Sequence, residues 1–486
     1  MSTRALKQPK SLYLLFFTEL WERFGFYTLQ TIIILYMSHA LMYEDHKAYI
    51  VYAVFSALLY LLPVLGGFLA DHYLGYQRAI IIGGLLLIVS YAVAALPGAH
   101  AFFIALSILI CAHGLFKPNV SSLVGTLYDV GDPRREGGFT IFYMGINIGS
   151  LIPPLFAGAI VVHYGWHMGF ILAAIGMGVG MITFFCGRKI LGAHGGVPSR
   201  SPLHKGAMKK TIFNSVFYLG IIGFILLIDY AFRYPALVSD VLKWMGILIF
   251  LVVFMFLFKE PVGSRKRMFA ATVLIIISIG FWALYNQTFT SLMLFAERNM
   301  QKSFMGIPLD AEGTQFFNPL FIILLSPMLS RLWTRLSVKD LNPSVPTKFA
   351  WGCVFLSLGY FVLMLGVKYF SHDGMTSSGW LVGSYFIQTI GELLISPIAL
   401  AMITELSPRH LVGMMMGVWF FSNAVSAVFS GTLATFTDVP KHASLETALN
   451  IYQHGFLVFS EIAIVLSLIA FILIPFLKGM IRSKVD

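Results

Sequence analysis

One stretch near the start of the sequence, FTELWERFGFYTLQ, carries residues able to exchange protons inside an apolar segment. Glu19, Glu22 and Arg23 are spaced by three and four residues, so on a helix they share one face. An arginine between two carboxylates can pair with one and leave the other free to take up a proton. Protonation of the paired carboxylate would free the arginine, which makes a two-state electrostatic switch. The alternative is a static ion pair that fixes helix packing, but Tyr27 and Gln30 continue the polar stripe and favour the switch.

Two more ionisable residues, Lys117 and Glu392, lie near the middle of other apolar stretches. Lys117 is in HGLFKPN, where Pro118 predicts a kink that exposes backbone carbonyls. A lysine at that depth needs an anion from the protein or a substrate, unless it extends to an interface. Glu392, with Ser396 on the same helix face, is a candidate partner for a cationic substrate group. A direct Lys117–Glu392 pair is the competing interpretation, and a substrate could split it. His113, one turn from Lys117, is interpreted as a hydrogen-bonded packing residue.

The composition predicts an all-α membrane protein with many spans. Of the 486 residues, 58% are hydrophobic and 11% are charged, whereas about 25% are charged in a typical soluble domain. That composition argues against a soluble enzyme, a nucleic-acid binder and a secreted disulfide scaffold. A span needs about 20 mostly apolar residues. Hydropathy then predicts fourteen of them: 12–37, 48–71, 77–96, 101–127, 138–162, 168–187, 213–232, 241–258, 268–296, 313–332, 348–368, 379–405, 411–436 and 453–478.

The distribution of basic residues predicts the orientation of these spans. An even number of spans puts both termini on one side. With the termini in the cytoplasm, that side receives 24 of the 33 Lys and Arg residues and the outer side receives 7. This excess is the positive-inside pattern of membrane proteins, so the net charge of +11 needs no nucleic acid. Segment 188–212, rich in Gly, Pro and Lys, is predicted as a flexible cytoplasmic linker.

Glycine pairs four residues apart predict close helix crossings, because small residues let backbones approach. They are Gly145/Gly149, Gly176/Gly180 and Gly413/Gly417.

Five motifs, in order along nearly the whole chain, resemble the proton-dependent oligopeptide transporters of the major facilitator superfamily. Glu19 to Tyr27, ELWERFGFY, is similar to the family's ExxERFxYY signature, with Phe26 at a usual tyrosine position. The others are GGFLADHYLGYQR at 66–78, GLFKPN at 114–119, FYMGINIG at 142–149, and the paired segments 388–397 and 413–420.

The resemblance implies a major facilitator fold of two six-helix bundles around a central cavity, with two inserted helices. The N-terminal bundle would be 1–187, the linker 188–212, the inserted helices 213–258 and the C-terminal bundle 259–486. It implies proton coupling by Glu19, Glu22 and Arg23. It implies a peptide carboxylate at Lys117 and a peptide amine at Glu392. The remaining substrate-binding residues would be Tyr27, Gln30, Tyr60, Tyr143, Asn147, Trp282, Asn286, Asn318, Ser396 and Trp419.

The leading hypothesis is therefore a symporter that imports di- and tripeptides with protons by alternating access in the bacterial inner membrane. It would act as a monomer in contact with membrane lipid, and protons would replace any cofactor. Gln30 and Asn286 stand where many relatives carry an arginine and an acidic residue, which removes the family's outer-gate salt bridge and predicts an altered substrate preference. A carrier for another zwitterion or anion (an amino acid or nitrate), or a drug exporter, is the runner-up. The sequence contains no catalytic motif that would favour an integral-membrane enzyme.

Overall fold

A computed structural model describes residues 7–129, 132, 134–408 and 411–481 of this chain. By its internal contacts the chain divides into two compact units. Unit 1 comprises Met1–Tyr36 and Leu58–Tyr234, and unit 2 comprises Met37–Ala57 and Pro235–Asp486.

The first eight helices belong mostly to unit 1. They are α1 (Lys10–Leu35), α2 (Asp45–Leu69), α3 (Tyr76–Ala94), α4 (Ala99–Gly125), α5 (Arg135–Leu151), α6 (Ala157–Tyr164), α7 (Trp166–Gly187) and α8 (Ala207–Ala231). Short π-helical turns at Tyr36–Ala40 and Ala70–Leu74 extend α1 and α2. The first half of α2 is assigned to unit 2 and its second half to unit 1.

The other eight helices belong to unit 2. They are α9 (Pro235–Leu257), α10 (Val262–Tyr285), α11 (Ser291–Asn299), α12 (Phe317–Val338), α13 (Val345–Tyr369), α14 (Ser378–Leu406), α15 (Val412–Ala434) and α16 (Leu445–Ile481). The loop after α11 carries a two-stranded hairpin, β1 (Ser303–Phe304) and β2 (Ile307–Pro308), that the sequence did not predict.

The helices correspond to the fourteen predicted spans. α5 and α6 form one span interrupted by a 3-10 turn at Pro153–Leu155, and α10 and α11 form another interrupted at Asn286–Phe289. Within the described residues, thirteen helical stretches are long and apolar enough to cross a membrane. The remaining span is α1, whose hydropathy is lowered by the charges near its middle. The prediction of an all-α polytopic fold is confirmed.

Glycines bring the charged helix α1 into close contact with α5 and α7. A Cβ on Gly149 in α5 would collide with the carbonyl oxygen of Leu20 in α1. A Cβ on Gly176 in α7 would collide with the ring of Phe24. Small residues allow such close approach, so the first two predicted pairs lie where α5 and α7 pack against α1.

The third predicted pair, Gly413/Gly417 in α15, makes no such crossing at Gly417. A Cβ on Gly417 would have no neighbouring atom within 4 Å, so this glycine borders open space. The surroundings of Gly413 lie outside the described residues.

Segment 188–212, predicted as a flexible cytoplasmic linker, makes hydrogen bonds to unit 1. The Gln77 side chain donates to the carbonyl of His194 at 2.7 Å, and Ser201 Oγ donates to the carbonyl of Tyr73 at 2.6 Å. α8 also begins inside this segment, earlier than predicted. Gly and Pro disfavour regular helix, but they leave backbone carbonyls available to polar side chains of neighbouring helices.

Candidate functional site

In unit 1, α1 buries its three charged residues in one cluster. Glu19 is 2% exposed, Glu22 0% and Arg23 3%. Arg23 Nε lies 2.5 Å from Glu22 Oε2 and 3.2 Å from Glu19 Oε1. The three residues share one helix face, as their spacing predicts, but both carboxylates contact the guanidinium, whereas the sequence predicts a pair with only one of them. Burial strengthens this ion pairing, because little water screens the charges.

A fourth member of the cluster, His113 of α4, was assigned only a packing role by the sequence. Its Nε2 lies 3.1 Å from Arg23 Nη2, and its ring packs 5.1 Å from the ring of Phe26. One oxygen of each carboxylate, Glu19 Oε2 and Glu22 Oε1, is buried without a hydrogen-bond partner among the described residues. An unbonded carboxylate oxygen is a position at which a proton can be accepted without breaking a hydrogen bond.

Lys117 lies on α4 one turn beyond His113 and is half-buried. Its Nζ is 5.7 Å from the centre of the Tyr60 ring. Glu19 and Glu22 interact with it electrostatically, but within the described part of unit 1 no carboxylate lies within ion-pair distance of Nζ. Lys117 is thus a cation with no directly bonded anion among the described residues of its own unit.

The proline after Lys117 does not interrupt α4, which continues through it to Gly125. Pro118 has no N–H, so the carbonyl of Gly114 loses its helical donor. Gly66 of α2 packs directly against that carbonyl, since a Cβ on Gly66 would collide with it. Asn119 donates to the carbonyls of Leu115, at 2.7 Å, and Gly66, at 3.3 Å. The exposed carbonyl that the sequence predicts is therefore covered by a helix crossing.

The other predicted residues of unit 1 differ in exposure. Tyr60 is 37% and Tyr143 50% exposed, whereas Tyr27 and Gln30 are half-buried. Asn147 is 7% exposed, and its amide donates to the carbonyl of Tyr143 at 2.9 Å. In this structure the Asn147 amide N–H thus bonds its own helix, while the tyrosines present accessible rings.

In unit 2, Glu392 of α14 is half-buried and is held by neutral donors. Tyr285 Oη donates to Glu392 Oε2 at 2.6 Å, and Asn318 Nδ2 donates to the same oxygen at 2.9 Å. Asn318 Nδ2 also lies 2.6 Å from Tyr285 Oη and 3.1 Å from Thr389 Oγ1. Among the described residues of this unit, no Lys, Arg or His lies within ion-pair distance of Glu392. The arrangement fixes an anion in place without neutralising it.

Sequence reasoning missed Tyr285, which makes the shorter of the two hydrogen bonds to Glu392 Oε2. The available signal was its position three residues after Trp282, which places both on one face of α10. Their rings pack edge to face at 5.4 Å. Trp282 Nε1 is buried with no partner in the described residues, and Asn286 begins the 3-10 turn that ends α10.

Two further predicted residues of unit 2 lie on α14 and α15. Ser396 is half-buried one turn beyond Glu392, and Trp419 is 6% exposed on α15.

The sequence also did not predict a buried ion pair in unit 2. Arg298 donates to both oxygens of Asp45, at 2.5 and 2.7 Å, and to Tyr452 Oη at 3.2 Å. Asp45 is 2% exposed and also accepts the backbone N–H of Val439 at 3.3 Å. Both charged residues stand at the ends of their apolar stretches, where sequence alone predicts solvated loop charges.

The comparisons with known proteins agree with this architecture. A family model described as the POT family matches residues 77–457, well over half of the chain. The chain belongs to the POT family. The dipeptide and tripeptide permease A of Klebsiella pneumoniae is 36% identical to this POT protein over 490 residues, covering 99% of the chain and 95% of the relative.

Solved structures of POT transporters superpose on nearly the whole chain. A mutant of the peptide transporter POT in complex with alafosfalin has 34% identity and a TM-score of 0.85, and covers 98% of this chain and 97% of that one. A POT family transporter in complex with 5-aminolevulinic acid has 30% identity and a TM-score of 0.84, with coverages of 97% and 98%. The family resemblance and the fold are confirmed, and the chain is a multi-pass membrane protein.

Proposed function

We propose that this POT family member imports di- and tripeptides together with protons by alternating access. Its relatives include proteins named dipeptide and tripeptide permeases, and a structurally similar POT transporter was solved with a thioalcohol-conjugated peptide. The proton-motive force supplies about 2.3 kcal/mol per charge per 100 mV, which is enough to concentrate a dilute peptide. The protein acts as a monomer, and protons are its coupling ion.

The observation that carries the proposal is a pair of charges of opposite sign, each without a direct ion-pair partner among the described residues of its own unit. Among the residues that the structure describes, Lys117 has no ion-paired carboxylate in unit 1 and Glu392 has no ion-paired cation in unit 2. A free peptide is a zwitterion, so it offers a carboxylate to Lys117 and an ammonium to Glu392. A monovalent cationic drug would gain from Glu392 but not from Lys117.

Charge balance in unit 1 supports coupling to protons. With both acids ionised, the charges of Glu19, Glu22, Arg23 and Lys117 sum to zero. A peptide carboxylate at Lys117 adds one negative charge to this poorly hydrated region, which is unfavourable. Uptake of one proton by Glu19 or Glu22 restores neutrality. Peptide and proton therefore bind cooperatively, which is the requirement for symport.

Uptake into proteoliposomes tests the proposal. With a pH gradient of one unit, acidic outside, and one proton per peptide, we expect labelled dialanine to accumulate by up to about tenfold, since one pH unit corresponds to about 1.36 kcal/mol. A protonophore should abolish this accumulation. Gradient-driven accumulation of free alanine or nitrate, with none of dialanine, would assign the chain to the runner-up class of carrier.

Glu22→Gln tests the coupling cluster separately. The amide keeps a hydrogen-bond acceptor for Arg23 but cannot be protonated in this pH range. We expect gradient-driven accumulation to be lost while exchange of labelled for unlabelled dipeptide persists. Unchanged accumulation would exclude Glu22 as an essential coupling residue.

The orientation is also proposed, with both termini and segment 188–212 in the cytoplasm. The support is the excess of Lys and Arg on that side. Single cysteines at Leu203 and Asp373, on a cysteine-free background, provide the test with an impermeant maleimide. We expect labelling at 373 and not at 203 in intact cells, and the reverse pattern would invert the topology.

A further inference from the structure

An apolar groove lies within unit 1 between α2, α4 and α8. Its volume is about 300 Å³, at the lower end of the range for sites that hold small ligands. α8 contributes Phe213, Val216, Phe217, Gly220 and Phe224 to one wall, and the groove surface is almost entirely carbon. Only a few residues of α8 are buried, so most of this helix faces the membrane.

Two glycines lie on the α2–α4 wall of the groove, which is otherwise lined by apolar side chains such as Leu62 and Leu115. Gly66 of α2 and Gly114 of α4 cross in direct backbone contact, and both line the groove. On the opposite wall, Gly220 of α8 has no atom within 4 Å of the position a Cβ would occupy. Glycine therefore occupies three of the positions that line the groove.

Positive charge stands at one end of this groove. Lys209 precedes Phe213 by four residues and Gly220 by eleven, so it shares the groove face of α8, and Lys210 lies at its edge. Both lysines are exposed. Arg78, at the start of α3, donates to Asn214 Oδ1 of α8 at 2.8 Å and so brings a third cation to the same end.

The length of the groove matches one leaflet of a bilayer. From Phe213 to Phe224, α8 rises about 16 Å at 1.5 Å per residue. The hydrocarbon core is about 30 Å thick, so one leaflet accounts for about 15 Å. An acyl chain along the groove would thus place its headgroup beside the lysines.

We propose that this groove binds an anionic phospholipid, with one acyl chain lying along Phe213–Phe224 and the phosphate held by Lys209 and Lys210. The charge at the mouth selects the headgroup, because basic residues beside a membrane surface attract anionic lipids. The apolar lining of the groove accommodates the acyl chain. The lipid then fills the space between α8 and the helices α2 and α4.

Native mass spectrometry of the full-length protein, with added phosphatidylglycerol or phosphatidylcholine of identical chains, tests the proposal. We expect the first phosphatidylglycerol to bind more tightly. The double change Lys209→Gln and Lys210→Gln should weaken phosphatidylglycerol by about 5- to 25-fold, at about fivefold per lysine, and leave phosphatidylcholine unchanged. The same double change at Lys266 and Lys339, two exposed lysines of unit 2, is the charge control and should change neither.

Two α8 variants provide the control for the acyl chain. Gly220→Leu puts a side chain into the groove and should weaken both lipids by the same factor. Gly223→Leu makes the same change at a glycine of α8 that also has open space but does not line the groove, and should weaken neither. Equal effects of the two leucines, or no preference between the lipids, would overturn the proposal. A dimer peak that only Gly220→Leu removes would instead assign the groove to a second copy of the chain.

Discussion

Glu392→Gln is the most direct test of how the substrate ammonium is recognised. In the structure, Glu392 Oε2 accepts hydrogen bonds from Tyr285 at 2.6 Å and Asn318 at 2.9 Å. The oxygen of a glutamine side chain can accept both. The substitution therefore removes the negative charge and leaves the surrounding hydrogen bonds in place.

The expected loss follows from the kind of contact removed. A charge-assisted hydrogen bond contributes about 1.5–3 kcal/mol, which is roughly 10- to 150-fold in affinity. Removal of Glu392's charge leaves the peptide ammonium unpaired in a partly desolvated site, so the loss should lie toward the upper end of that range. An N-acetylated dipeptide has no ammonium, and we expect its affinity to change less than about threefold.

Calorimetry in detergent measures both affinities without the complication of transport steps. Tyr285→Phe is the matched control, because it removes one hydrogen bond to Glu392 but keeps the charge. It should weaken the free dipeptide by about fivefold, corresponding to about 1 kcal/mol. If Glu392→Gln weakened the free and acetylated dipeptides by the same factor, the ammonium assignment would be wrong and Glu392 would serve the fold.

Three other substitutions have expected outcomes. Lys117→Ala should weaken a free dipeptide by at least tenfold and a C-terminally amidated one far less, by calorimetry; equal losses would contradict the carboxylate assignment. Gly149→Ala should destabilise the protein by about 1–3 kcal/mol in a denaturing-detergent titration. Gly178 has open space around it, so Gly178→Ala is the control and should leave the stability unchanged. Equal stabilities of the two variants would refute a tight α1–α5 crossing. Asp45→Asn should lower the free energy of unfolding by about 3 kcal/mol, the lower end of the range for breaking a buried ion pair. The lower end applies because a quarter of the Arg298 side chain is exposed. A loss below about 1 kcal/mol in the same titration would mean that the pair is solvated.

Local sequence was sufficient to find the charges of α1 and the spacing that brings them together. Glu19, Glu22 and Arg23 lie within five residues, so helical geometry alone places them on one face. The contact between Arg23 and His113 could not be predicted from local sequence, because the two residues are 90 positions apart. That contact depends on how α1 and α4 pack, and no periodicity within either helix specifies it.

The environment of Glu392 could also be predicted only in part from the sequence. Its place in mid-span marks it as a residue whose burial needs compensation, and this was visible in the sequence. The compensation comes from Tyr285 and Asn318, which are 107 and 74 residues away. A tyrosine in an apolar helix is indistinguishable by composition from a packing residue until its hydroxyl is located.

Glycine positions connect the fold to both the peptide-transport proposal and the lipid-binding proposal. At the α2–α4 crossing, Pro118 removes the N–H that would have satisfied the carbonyl of Gly114, and Gly66 packs on that carbonyl. The crossing covers an otherwise unsatisfied backbone group one turn from Lys117. Gly66 and Gly114 also line the groove along α8, beside apolar side chains of α2 and α4. A larger residue at 66 would separate α2 from α4, shift the turn that carries Lys117 and displace the groove lining on both helices. A bulky substitution at Gly66 should therefore impair peptide binding and lipid retention together, whereas Gly220→Leu should impair only lipid retention.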